Sequence, residues 1–171
     1  MTKERIIQLL ELLNEKLKSD NVDGEIYIFG GAVMCLVMNT RAATYDIDTL
    51  FSPKLEIYKY AKEIAAEEGL PENWLNDGVK DFVSQKAETK IYAEHSNLII
   101  FAGTPEYIFA MKAKSARTDN ANEVQDLKEL IAHLNIQSFS DAESIISKYY
   151  PADQILPKTR FLIEELLDKK E

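Results

Sequence analysis

The residues best suited to chemistry are two aspartates and two glycines. Asp46-Ile47-Asp48 sets two carboxylates one residue apart in a run, Asp46 to Phe51, that alternates like a strand. Alternate residues of a strand share a face, so both acids are expected on the same side. Carboxylates held side by side repel each other and resist desolvation, a conflict that a divalent cation resolves. Mg²⁺ (or Mn²⁺) favours carboxylate, water and phosphate oxygens, and is the cofactor expected on Asp46 and Asp48. Fourteen residues separate Asp46 from Gly30-Gly31, where the β-rich run Glu25 to Phe29 stops and a compact apolar helix, Ala32 to Met38, follows. Glycines at that junction let backbone amides approach a phosphate, which the helix start also attracts. One strand–Gly-Gly–helix–strand unit can therefore hold a triphosphate together with its metal.

The rest of the chain supplies elements to position them. Ile6, Ile7, Leu9, Leu10, Leu12, Leu13 and Leu17 recur at helical spacing, and Asp20 to Gly24 breaks that helix. Leu55 to Glu68 reads as an amphipathic helix closed by Gly69, with Pro71 beyond it. The pattern predicts another helix over Trp74 to Lys86, then strands over Thr89 to Ala93 and Asn97 to Ala102. Beyond them the chain reads as helical. Thr104 is the expected N-cap with Pro105 at the first position, and Ser140-x-x-Glu143 a capping box. Pro157 starts the last helix, expected over Thr159 to Lys170. The expected fold class is α+β (mixed α/β), with a short central mixed sheet flanked by helices. One domain over 1–171 is expected, its α/β core in 1–103 and its helical C-terminal extension in 104–171.

Composition narrows the function classes. The 171 residues carry 20 basic and 29 acidic side chains, a net charge of -9, which opposes bulk electrostatic binding of nucleic acid and excludes DNA as a partner. The opening MTKERIIQLLELL has no signal-peptide pattern, and no apolar run approaches the roughly 18 residues of a membrane span. A cytoplasmic protein without a membrane partner is expected. Cys35, the one cysteine, excludes an intramolecular disulfide and reads as a core thiol. His95 and His133 fit no metal-ligand spacing. Trp74 reads as a packing anchor and Tyr149-Tyr150 as a packed helix end. Lys112 falls inside the apolar run Tyr107 to Ala113 and needs a partner there.

The pattern Gly-Gly-x(14)-Asp-x-Asp, with Arg41 and Thr44 just before the acids, resembles the signature of the nucleotidyltransferase (polymerase-beta-like) superfamily. Trp74-Leu75-Asn76-Asp77, the block from Pro105 through Lys112 and Arg117 to Asp126-Leu127, and Tyr149-Tyr150-Pro151 up to Phe161-Leu162 extend the likeness over about residues 25 to 168. Together they resemble a group of small bacterial nucleotidyltransferase-fold proteins related to the AbiEii and MenT toxins. The resemblance implies a nucleotidyltransferase-like fold and a Mg²⁺-dependent enzyme moving a nucleoside monophosphate from an NTP to an acceptor hydroxyl. It assigns metal binding to Asp46 and Asp48, and phosphate binding to Gly30 and Gly31. Lys112 and Arg117 become triphosphate cations, Arg41 and Thr44 residues that orient the Asp loop or contact the nucleotide, and Asp126 a catalytic acid that positions Lys112 or a substrate group. The implied acceptor is RNA (tRNA) or a protein, with a cognate antitoxin as partner. The alternatives are a small-molecule (antibiotic) nucleotidyltransferase and a non-catalytic nucleotide-binding module. A third carboxylate, common in the superfamily, has no compelling candidate among Asp77, Glu88 and Glu94.

Overall fold

Apolar residues at helical spacing make Lys3–Ser19 the first helix, α1, capped by Thr2, whose Oγ1 accepts the Arg5 N–H at 3.4 Å. Its buried face, Ile6, Leu9, Leu10, Leu13 and Leu17, lies in the core, and the helix packs on α3, Lys54–Glu68, in which Ile57, Ala61 and Ile64 are buried. Gly69 ends α3 at φ +65°, as expected of the residue that closes it. The computed structural model containing these elements describes residues 1–117 and 119–168. Lys169 and Lys170, expected in the last helix, lie outside the described residues.

Strands β1 (Gly24–Ile28), β2 (Ile47–Ser52), β3 (Leu75–Asn76), β4 (Thr89–Glu94) and β5 (Leu98–Gly103) form one sheet in the order β3-β2-β1-β5-β4. β1 runs antiparallel to β2 and parallel to β5, β2 parallel to β3, and β4 antiparallel to β5. Between β1 and β2 the chain forms helix α2, Gly30–Val33, which widens into a π-turn over Met34–Met38 and ends at Asn39 in the left-handed region, φ 53°. The architecture is α+β, with a mixed sheet.

Two compact units result: Met1–Asp81 with Thr89–Gly103, and Phe82–Glu88 with the chain from Thr104 onward. The second holds helices α4 (Pro105–Ser115), α5 (Ala121–His133), α6 (Phe139–Tyr149) and α7 (Pro157–Asp168). Thr104 caps α4 with Pro105 at its first position, as expected. Tyr107 anchors this unit, with its ring centroid 5.0 Å from Tyr149 and its hydroxyl accepting the Ser84 N–H at 2.8 Å. Tyr149 donates to Glu88 Oε2 at 2.8 Å and Tyr150 to the Phe82 carbonyl at 3.0 Å, which ties 82–88 to the helices. Burial pushes the Tyr150 phenol well above its ordinary pKa.

Two expectations need correction. The helix expected over Trp74 to Lys86 is instead β3, a 3₁₀ turn over Gly78–Asp81 and an irregular stretch. The Trp74 carbonyl accepts the Ile47 N–H at 2.7 Å, drawing this segment into the sheet. Asn76 then accepts the Gly78 N–H on its side chain at 2.9 Å, competing with helical hydrogen bonding. Trp74 is an anchor, fully buried, with Nε1 donating to the Ala61 carbonyl at 2.9 Å. The second correction moves the capping box from Ser140 and Glu143 to Ser138 and Asp141, which satisfy each other's backbone N–H groups at 3.2 and 2.9 Å. Both pairs have the same spacing, but Ile136 is buried and α5 has ended by Asn135, φ 52°, so the new helix starts two residues earlier.

Candidate functional site

The site is built where β1 ends. Phe29 stays extended and buried, and its N–H donates to the Asp48 carbonyl at 2.9 Å, which brings Asp48 beside the turn into α2. Gly30 makes that turn at φ +62°. A Cβ on Gly30 would sit 2.7 Å from Asp48 Oδ2, closer than such atoms pack. A Cβ on Gly31 would sit 2.8 Å from Arg41 Nη1 and 2.9 Å from Thr44 Oγ1. The two glycines therefore leave space that the acid, the guanidinium and the hydroxyl occupy. Arg41 is steadied by its Nε, which donates to the Ala43 carbonyl at 2.9 Å, and Thr44 is buried.

Gly30→Ala is expected to cost about 1–2 kcal/mol of stability from the left-handed backbone and, on the reading that Asp46 and Asp48 hold a cation, to weaken Mn²⁺ binding by displacing Asp48. Gly69→Ala is the control: its φ is +65°, but a Cβ there meets nothing within 4 Å. Urea melts should show both penalties, and Mn²⁺ titration only the first.

Asp46 stands immediately before β2 and Asp48 within it. Both are half-buried, while Ile47 and Thr49 are fully buried, the alternation expected of a strand with one acidic side. Register pairs Asp48 with Asn76 on β3. Asn76 Nδ2 donates to Asp46 Oδ2 at 3.1 Å. Two oxygen-rich side chains beside a glycine cradle fit a Mg²⁺ ion that draws its other ligands from water and phosphate. Among the described residues, no group of three or more His, Cys, Asp or Glu side chains is placed to hold a metal.

Of the acids considered for a third carboxylate, Asp77 is engaged elsewhere, accepting from Tyr58 Oη at 2.5 Å and Lys54 Nζ at 3.0 Å. The Tyr58 hydroxyl, then Lys54, holds the Asp77 carboxyl below its usual range, and the same bond pushes the Tyr58 phenol up to about 12. A carboxyl whose pKa is lowered on folding adds stability above its unfolded pKa, near 4, and loses it as pH falls through the folded value. Asp77→Asn should thus cost about 1 kcal/mol at pH 7 and progressively less below pH of about 4, as urea midpoints at both pH values would show. Glu94 is exposed on β4, and Glu88 belongs to the helical unit.

The remaining candidates lie in the helical unit. Lys112 Nζ meets Asp126 Oδ2 at 2.6 Å, and the Asp126 side chain is only 9% exposed. That is the partner Lys112 needed. Arg117 gives Glu123 three hydrogen bonds of 2.8–3.1 Å, from its backbone N–H and its guanidinium, which raises the Arg117 pKa. Gly30, Gly31, Arg41, Thr44, Asp46 and Asp48 thus share one place in the sheet unit. In the helical unit Lys112 and Asp126 meet each other. His133 is exposed, His95 half-buried and Cys35 buried.

Asn76, which meets Asp46, lies in the Trp-Leu-Asn-Asp segment without a sequence signal of its own, because a two-residue strand carries no periodicity to reveal its pairing.

Comparison of this chain with family models, with curated proteins and with solved structures yields no match. Among the described residues no helix is long and apolar enough to cross a membrane.

Proposed function

We propose that this protein is a Mg²⁺-dependent nucleotidyltransferase of the cytoplasm that moves a nucleoside monophosphate from an NTP to an acceptor hydroxyl. The observation that carries this reading is the Gly30-Gly31 cradle, whose missing Cβ atoms leave room for Asp48, Arg41 and Thr44 at one strand end. The resemblance of the Gly-Gly and Asp-x-Asp spacing to the nucleotidyltransferase superfamily supports it further. Asp46 and Asp48 would hold the Mg²⁺, which when bound supplies charge neutralisation of the phosphates and acidity at the attacking hydroxyl. On this reading the phosphates would meet the Arg41 guanidinium, which lies against Gly31 and would supply a cation there. The acceptor oxygen bonds to the α-phosphorus as the α–β bridging P–O bond breaks, pyrophosphate leaves, and the hydroxyl proton passes to water.

On this reading the acceptor is an RNA 3′ end (tRNA) or a protein side chain, and the enzyme is the toxin of a toxin–antitoxin pair. Calorimetry with ATP, GTP, CTP and UTP, with and without Mg²⁺, tests the nucleotide site. Binding without metal dependence would overturn it. Incubation with labelled NTPs and total tRNA, lysate protein or an aminoglycoside then separates the acceptors by which one takes the label. Nucleotide binding with no transfer to any of them would favour the non-catalytic module, the reading that the lack of a compelling third carboxylate supports.

A further inference from the structure

We propose that Asn76 positions Asp46 for cation binding and fills the place of a third carboxylate, so that the acid pair takes a single divalent cation. The inference rests on the nucleotidyltransferase reading and deepens it. The Gly78 backbone N–H can only donate, so the Asn76 atom that meets it at 2.9 Å is Oδ1. Nδ2 is thereby turned toward Asp46 Oδ2 at 3.1 Å. The Asn76 backbone is held as well: its register partner is Asp48, and its carbonyl accepts Thr49 Oγ1 at 2.9 Å. Backbone on two strands and one turn therefore fixes an amide donor on one oxygen of Asp46.

The chemistry of that choice is specific. An aspartate at the same position would bring a third negative charge beside Asp46 and Asp48. Cation affinity and number follow the count of charged ligands. An amide instead orients one carboxylate, in the way outer-shell partners orient metal ligands, and leaves two carboxylates as the charged ligands, with the Arg41 guanidinium against the adjoining Gly31. That donor set suits one divalent cation rather than two.

Mn²⁺ alone, titrated into the full chain and followed by the electron paramagnetic resonance signal of the free ion, tests the inference. One site per chain is expected, lost in the variant carrying Asp46→Asn and Asp48→Asn. Asn76→Ala should weaken that site about tenfold, and Asn76→Asp should tighten it about tenfold or admit a second ion. A residue that merely closed the Gly78 turn would not produce opposite shifts. Melting temperatures accompany each titration, and Asn76→Asp keeps an oxygen for the Gly78 N–H. If Asn76→Ala does not fold, Asn76→Asp decides alone. Mn²⁺ binding that depends on the two aspartates but ignores both Asn76 variants would overturn this inference and leave the enzyme reading standing. Two ions per wild-type chain, both lost with the acids, would overturn the single-cation claim. Wild-type binding that is absent, or that ignores the aspartates, would overturn both readings.

Discussion

On the proposed nucleotidyltransferase reading, the variant carrying Asp46→Asn and Asp48→Asn is expected to lose Mg²⁺-dependent NTP binding and at least about a thousandfold in transfer rate, since the catalytic metal would supply several kcal/mol of charge stabilisation. Asparagine is close in size to aspartate and keeps an oxygen for the Asn76 amide that meets Asp46, so a folded variant is expected, and its thermal melt separates loss of function from loss of fold. Calorimetry of binding, a label-transfer assay and a thermal melt on the same preparation check the three parts. A large loss of stability would instead mean that the carboxylates serve the fold.

The second large effect is expected at the ion pair of the helical unit. Asp126→Ala should destabilise the protein by about 3–5 kcal/mol, because it strands a largely buried ammonium without its counter-charge. The Lys112 and Asp126 side chains are 18% and 9% exposed and 2.6 Å apart, so little water reaches the pair. Replacing both partners with apolar residues, Lys112→Met with Asp126→Leu, should recover part of that loss, since desolvation of the two charges is then avoided as well. Denaturant melts of the single and double variants measure both steps.

How much of the molecule could be read in advance depends on the range of the forces involved. Helices α1, α3 and α4 were legible because their periodicity, the glycine that closes α3 and the Thr104-Pro105 cap are all local signals. The acids were legible for the same reason: the strand repeat puts Asp46 and Asp48 on one side wherever the strand lies. The segment after Trp74 was not, because its conformation follows from pairing with β2, a partner 28 residues earlier by the Ile47–Leu75 register. The capping box shows the narrower failure, where two equally spaced serine–acid pairs compete and burial of Ile136 decides between them.

The sequence by itself determined the mixed α/β character, the acid pair with its glycines, and the need of Lys112 for a partner, since each follows from residue type and short-range geometry. Only the tertiary structure decided that Asp48 lies against Gly30, that Arg41 and Thr44 crowd Gly31, that Asp126 answers Lys112 and that an amide rather than an acid faces Asp46. Those are contacts between separate elements. Strand register and helix packing set them, and neither is written in the spacing of neighbouring residues.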